Sequence, residues 1–425
     1  MKSIINILAK IKYIIKNPTR VVGRLLSNHP TISRIAYGSY CLIPKILYTL
    51  FCIAPVVDKK VVICNFCSFG GYGDHQKYLA RELLKNNYQI SWLVGRSHYN
   101  DIDFPLEIKK VYYGSIKSLY ELATAEIWID NQRKNSNIWK RKNQFYLQTW
   151  HGGYPIKKIS DNSDSLINPA QLDMMRYDSK MTDVVISNSQ VFTDTYRNGF
   201  HYTGEILEVG FPRNDIFFLS GSELQPLKRK LLDYISPSHS INKEINIVLY
   251  APTFRSTFKP EVYNLDYSNC ISTLEKRFGG EWICLIRLHP IVSVMADNIN
   301  QNVSGVYDVS SYPDAQELLS VCDMLITDYS SIIFDFALSR KPGLLYTPDL
   351  EDYAKPPEPG FAVDIETLPF LRANTNSELI EVLETYNYDT YVQRLNKFFE
   401  DTKCTDTGVA SKKCVERIEL FRQST

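Results

Sequence analysis

Short apolar runs that stop at glycine, serine or histidine and give way to helix-like stretches constrain this chain more than any other feature. KVVICNF, QISWLVG, EIWIDNQ and QFYLQTW occur in the first half, and INIVLYAPT, EWICLIRLH, SGVYDVS, MLITDYS and PGLLYTP in the second. Between them lie helix-like stretches such as Gln76–Lys85 and Ser115–Ala123. Strands apolar on both faces and alternating with helices require a parallel sheet covered by helices on each side. A polar, proline-containing region at 221–243 parts the two series.

At 425 residues the chain is too long for one ordinary core. The expected fold is therefore α/β, of glycosyltransferase-B type. Two Rossmann-like domains, 58–225 and 226–425, face a cleft, and the last helix is free to cross back. Residues 1–57 form a separate extension.

Charge sets that extension apart. The net charge of +1 hides +9 on residues 1–60 and −8 on the rest. A basic end on an acidic body argues against nucleic-acid binding, which needs a basic face on the folded domains. Ile4, Ile7, Leu8, Ile11, Ile14 and Ile15 recur at helical spacing among lysines, the pattern of an amphipathic helix lying on an anionic membrane. Ile35–Val57 is long enough to span, but Lys45 sits mid-run and Pro44 is expected to break a helix there. The readings are monotopic or re-entrant attachment, or a helical cap on the first domain. No cleavable signal peptide is legible. Of nine cysteines only Cys64-x-x-Cys67 is close-spaced, so neither a zinc site nor any other metal or cofactor is expected. The location implied is the cytoplasmic face of the cell membrane, peripheral or monotopic, and an oligomer stays open.

Ligands of open α/β sheets lie beyond the carboxyl ends of the strands, which selects four sites. His151 ends a strand and is followed by Gly152 and Gly153. Its imidazole can take a proton near neutral pH, beside free backbone amides. Thr253, Phe254 and Arg255 follow a second strand, and Arg287 and His289 a third, on one face by strand alternation. A cation beside an imidazole suits a pyrophosphate and its leaving group. Ser330 and Ser331 precede an apolar helix with Asp335 one turn on. They read equally as a phosphate site at a helix N-terminus or as plain N-caps.

In order, Trp150-His151-Gly152, Gly210-Phe211-Pro212-Arg213-Asn214-Asp215, Ala251 to Arg255, Arg287 to Pro290 and Asp328 to Ser331 with Asp335 resemble the CDP-glycerol glycerophosphotransferase family of teichoic-acid and related polymer assembly. The resemblance covers about residues 60–390. It implies a membrane-associated enzyme that moves a polyol phosphate, glycerol phosphate before ribitol phosphate, from a CDP-activated donor (CDP-glycerol or CDP-ribitol). The acceptor would be a hydroxyl of a lipid-linked or polymeric glycan, with release of CMP. By position, His151 is the general base of an acceptor domain, and His289 assists at the phosphates of a nucleotide-donor domain. Gly152, Arg213, Thr253, Phe254, Arg255, Arg287, Ser330 and Ser331 bind the donor, with Asp335 toward the nucleotide. A nucleotide-sugar glycosyltransferase or 2-epimerase, and a non-catalytic membrane scaffold, are the alternatives.

Overall fold

Runs rich in valine, isoleucine and leucine have no polar face to give to solvent, and the chain buries them in two all-parallel sheets. The computed structural model describes residues 42–65, 71–158, 169–236, 244–255, 260–288, 303–355, 358 and 360–424. The amphipathic pattern from Ile4 to Ile15, Cys67 and His289 lie outside them. The first sheet contains β1 (Val57–Cys64), β2 (Gln89–Val94), β3 (Lys109–Tyr112), β4 (Ala125–Asp130), β5 (Phe145–Gln148), β6 (Val184–Ser187) and β7 (Glu205–Glu208), in the order β3-β2-β1-β4-β5-β6-β7. The second contains β8 (Asn246–Ala251), β9 (Trp282–Ile286), β10 (Val306–Asp308), β11 (Met324–Thr327), β12 (Gly343–Tyr346) and β13 (Leu371–Ala373), in the order β10-β9-β8-β11-β12-β13. Each sheet starts in its middle, winds to one edge and then to the other. The strand order therefore reverses between β1 and β4, and again between β8 and β11.

A helix over 42–51 (α1) opens the described chain. Pro44, expected to break a helix, sits in its first described turn, where a missing N–H costs least. Tyr48 anchors it: the ring is buried edge-on against Trp139, and the hydroxyl donates to the Trp139 carbonyl at 2.6 Å. Phe51 packs on Tyr120 of α2 (Ile116–Thr124). Leu42, Ile43, Ile46 and Leu50 remain exposed. No helix among the described residues is long and apolar enough to cross a membrane.

The last helix, α4 (Ala410–Ser424), packs on the first sheet, where Arg422 meets Glu126 and Asp58 and Glu419 accepts from the Tyr88 hydroxyl. Its first turn donates Ala410 N–H and Ser411 N–H to the Asp215 carboxylate, an acidic cap where the helix dipole favours one. The segment after Gly153 crosses the other way: Tyr154 stacks on Phe334, and Ala362 N–H donates to the Ile156 carbonyl.

A buried ion cluster also joins the two halves. Lys77 donates at 2.6 Å to Asp314 and 2.5 Å to Glu317, and all three are at most 4% exposed. Burial pushes the Glu317 carboxyl up, but the charge and hydrogen bond of Lys77, joined by Lys230 and Tyr312, win and hold it at about 2. Lys77→Met leaves two carboxylates buried without that cation and should cost about 3–5 kcal/mol in denaturant unfolding. Because Glu317 titrates below its ordinary value, its contribution is complete above the ordinary carboxyl range and is lost as pH falls toward about 2. Lys77→Met should lack that part of the acid dependence.

Candidate active site

Both strand-order reversals are bridged by side chains, and the two bridges define opposite walls of one cleft. At the first, Asn131 after β4 donates to Asn65 after β1 at 2.9 Å and to Asp74 at 2.8 Å. At the second, the Asp328 carboxylate after β11 accepts from the Thr253 backbone N–H at 2.9 Å and from its hydroxyl at 2.6 Å after β8.

His151 stands on the first wall. Its Nδ1 lies 3.0 Å from the Asn131 carbonyl. A carbonyl only accepts, so Nδ1 carries the proton and Nε2 keeps its lone pair. The ring stacks on Trp150 at 4.2 Å, and Trp150 lies under the Arg133 guanidinium. Surrounding protein atoms lower the His151 pKa despite the Asn131 hydrogen bond and the Asp74 charge, while Arg213 and Arg133 lower it further. The imidazole is therefore neutral at pH 7, although the side chain keeps solvent access. Trp150 and Asp74 both have φ near +55°, a region that non-glycine residues enter only when their surroundings force it. Gly152 and Gly153 permit the close approach. A Cβ on Gly152 would lie 2.9 Å from Trp150, and one on Gly153 would lie 3.2 Å from Ser331 across the cleft.

Arg213 holds that approach together. It is buried at 6% exposure. Nε donates to Asp335 at 3.0 Å, Nη1 to Asp74 at 3.0 Å and to the His151 carbonyl at 2.9 Å, and Nη2 to the Gly152 carbonyl at 3.2 Å. The sequence places Arg213 on the pyrophosphate and Asp335 toward the nucleotide. In the structure the two side chains bond to each other, as a buried guanidinium and a buried carboxylate do. Asp335 also accepts from Gln316 at 2.9 Å.

Arg255 is likewise committed. Asp349 takes its Nε and Nη2 at 2.7 and 2.9 Å, Asp328 takes Nη1, and Tyr329 and Tyr353 flank it at 4.8 Å. Phe254 packs half-buried against the second core. Thr253 orients Asp328. Ser331 precedes α3 (Ile332–Ala337) without capping it; its Oγ accepts from Gly153 N–H at 3.3 Å, while Ser330 Oγ lies 3.5 Å from the Ile332 N–H.

Two cations stand apart. Arg287 donates to the carbonyls of Val309 and Tyr312 at 3.3 and 2.7 Å, and burial lowers its pKa. Lys157 faces the Tyr353 ring, and burial pushes its ammonium down to about 8 against the pull of Asp328. Neither has a carboxylate within ion-pair distance among the described residues. Both side chains are half-buried; a charge partly withdrawn from water without a counter-ion is costly, and an anionic ligand lowers that cost.

A neutral histidine beside a cleft between two parallel sheets, and two half-buried cations with no carboxylate at ion-pair distance among the described residues, suit a group transferase of the glycosyltransferase-B class with an anionic donor. Residues 46–420 match the family described as CDP-Glycerol:Poly(glycerophosphate) glycerophosphotransferase, and the chain belongs to it. It is 32% identical over 406 residues to a teichoic acid poly(glycerol phosphate) polymerase of Bacillus spizizenii, spanning 91% of this chain and 99% of the relative. It is 29% identical to a teichoic acid glycerol-phosphate transferase of Staphylococcus aureus, over 89% of this chain and 97% of the relative. The solved wall teichoic acid polymerase TagF shares the fold, with TM-score 0.74 over 94% of this chain and 99% of that one, at 24% identity. The chain is a CDP-glycerol glycerophosphotransferase. Family membership sets aside the sugar-transferase, epimerase and scaffold alternatives.

Asp74, Asn131 and Lys157 escape a reading based on strand-end motifs. Lys157 lies in the Trp150–Lys158 block, but its burial is a tertiary fact. If Arg213 positions the loop, Arg213→Lys, which cannot serve four acceptors from one nitrogen, should cost about 3 kcal/mol in unfolding. Its kcat for CMP release should fall more than its KM for CDP-glycerol rises. A change in KM alone would return Arg213 to direct donor binding.

Proposed function

We propose that His151 is the general base that transfers glycerol phosphate from CDP-glycerol to a hydroxyl of a lipid-linked glycan acceptor. The observation that carries this reading is the hydrogen bond from Nδ1 to the Asn131 carbonyl, which leaves Nε2 unprotonated on a solvent-exposed residue. The acceptor hydroxyl gives its proton to Nε2, and its oxygen attacks the phosphorus that bears glycerol. The bond from that phosphorus to the bridging oxygen breaks in line, and CMP leaves with the electron pair. Such a transfer gains most of its rate from positioning and charge neutralisation. Arg287 and Lys157 supply the charge. The Gly152 amide, with the Ser330 and Ser331 hydroxyls, would meet the phosphate oxygens. His289 keeps its donor-side duty on the family resemblance.

Attachment to an anionic membrane is part of the proposal. The exposed apolar face of α1, Leu42, Ile43, Ile46 and Leu50, continues to Ile53 and belongs to the region that carries +9. Buried apolar area and cation attraction act together in such binding.

CMP release from CDP-glycerol with a glycolipid acceptor tests the reaction, and consumption of a UDP-sugar instead would overturn it. His151→Ala should lose about 10²–10⁴-fold in kcat. The base works only when neutral and its pKa is lowered, so the acid limb of kcat/KM should have its midpoint below 6.5, the ordinary histidine value. A midpoint above that value removes His151 from the role. For the membrane, the double variant Ile43→Asp, Ile46→Asp should co-sediment less with anionic vesicles than the parent protein, and equal sedimentation sinks the attachment.

A further inference from the structure

Asp74 opens the helix Asp74–Lys85 with φ at +55°, a left-handed conformation that a residue with a Cβ keeps only when its surroundings impose it. The helix dipole favours an acid at this end, but the Asp74 oxygens are bonded to residues far along the chain. Oδ2 accepts from Asn131 Nδ2 at 2.8 Å, and Oδ1 accepts from Arg213 Nη1 at 3.0 Å. Both partners go on to His151. The Asn131 carbonyl holds the ring Nδ1 at 3.0 Å, and the same Arg213 nitrogen donates to the His151 backbone carbonyl at 2.9 Å. The carboxylate is thus two hydrogen bonds from the imidazole and two from the backbone that carries it. Helix and loop are tied a third time where Gln76 Nε2 donates to the Thr149 hydroxyl at 2.9 Å. Asn131 is itself held: it also donates to Asn65 Oδ1 at 2.9 Å, and Asn65 Nδ2 reaches the Gly71 and Gly73 carbonyls at 3.0 Å.

The charges around this chain of bonds point the same way. The groups facing Asp74 and His151 are His75, Arg213, Arg133 and, beyond Arg213, Asp335. The His75 ring is fully buried against Phe211, with neither nitrogen hydrogen-bonded and Nε2 3.8 Å from Asp74. Burial pushes its pKa down to about 3, so it is neutral at pH 7. Burial acts against the Asp74 charge as well, but His75, Arg213 and Asn131 hold that carboxyl below its ordinary value. At His151, burial and the two arginines disfavour the imidazolium, while the Asn131 carbonyl and Asp74 favour it. Asp74 supplies the negative charge in that balance.

We propose that Asp74 is the positioning residue of His151: through the Asn131 peptide and Arg213 it fixes the ring that takes the acceptor proton, and its charge supports the imidazolium formed in that step. The proton of the acceptor hydroxyl goes to Nε2, Nδ1 keeps its own proton on the Asn131 carbonyl, and Asp74 stays ionised throughout. The inference deepens the reading of His151 as the base and rests on it.

NMR on the full chain with isotope-labelled histidine reads the tautomer and the titration of His151 without turnover, and His151→Gln identifies its signal. The parent ring should carry its proton on Nδ1. Asp74→Asn keeps the size of the side chain and removes its charge. In that variant the His151 midpoint should fall by about one pH unit. Its kcat for CMP release should drop about tenfold or more, with KM for CDP-glycerol within about twofold of the parent. A merely structural Asp74 would lower thermal stability and leave the midpoint where it is. Asn131→Ala retains the peptide carbonyl but frees it from Asp74, so the tautomer protonated on Nε2 should appear beside the first. An unchanged or higher midpoint in Asp74→Asn overturns the proposal. So does a single tautomer in Asn131→Ala, which decides the matter if Asp74→Asn does not fold. Parental turnover in His151→Gln would instead remove the base, whatever the midpoint shows, so the two failures are told apart.

Discussion

The arrangement depends on one buried guanidinium. Arg213 bonds to Asp74 in the first domain, Asp335 in the second, and the carbonyls of His151 and Gly152 between them. A planar fork with five fixed donors can serve acceptors on two sides at once, and no other side chain has that geometry. Removing such a charge from water is costly and is repaid only when nearly every donor is satisfied. The hub thus converts a solvation cost into a fixed distance between the loop that carries His151 and the helix that follows Ser331.

Around that hub, the backbone is held where it would not rest alone. Asp74 and Trp150 occupy the left-handed region, and each flanks His151 through a direct contact or a shared partner, Asn131. The Lys77 cluster and the Tyr154 crossing tie the domains at other points. The Asn131 carbonyl leaves the imidazole one tautomer. The cations that remain uncompensated, Arg287 and Lys157, are then the ones an anionic donor can meet. Arg255, paired to Asp328 and Asp349, shapes the second crevice.

Most of the scaffold was legible in the chain because strands buried on both faces are short and uniformly apolar, as in NIVLYA and MLIT. The edge strands escaped that signal. β7 reads EILE, is half-exposed, and lacks a continuous apolar run; β3 reads KKVY. Strand-end position also located His151, Thr253 and Arg287. It failed to divide the arginines by duty, since Arg213, Arg255 and Arg287 look alike in sequence. Their partners, Asp335, Asp349 and the Val309 and Tyr312 carbonyls, lie 122, 94, 22 and 25 positions away.

By itself, the sequence determined two parallel sheets, the strand ends at which chemistry gathers, and a basic apolar beginning. Those properties follow from local periodicity and from the burial each short segment requires. The tertiary structure alone decided which charges are spent on each other, which histidine nitrogen is free, and that Lys157 and Arg287 are half-buried with no carboxylate at ion-pair distance among the described residues. Charge pairing depends on distances between residues far apart in the chain, and no local pattern encodes them.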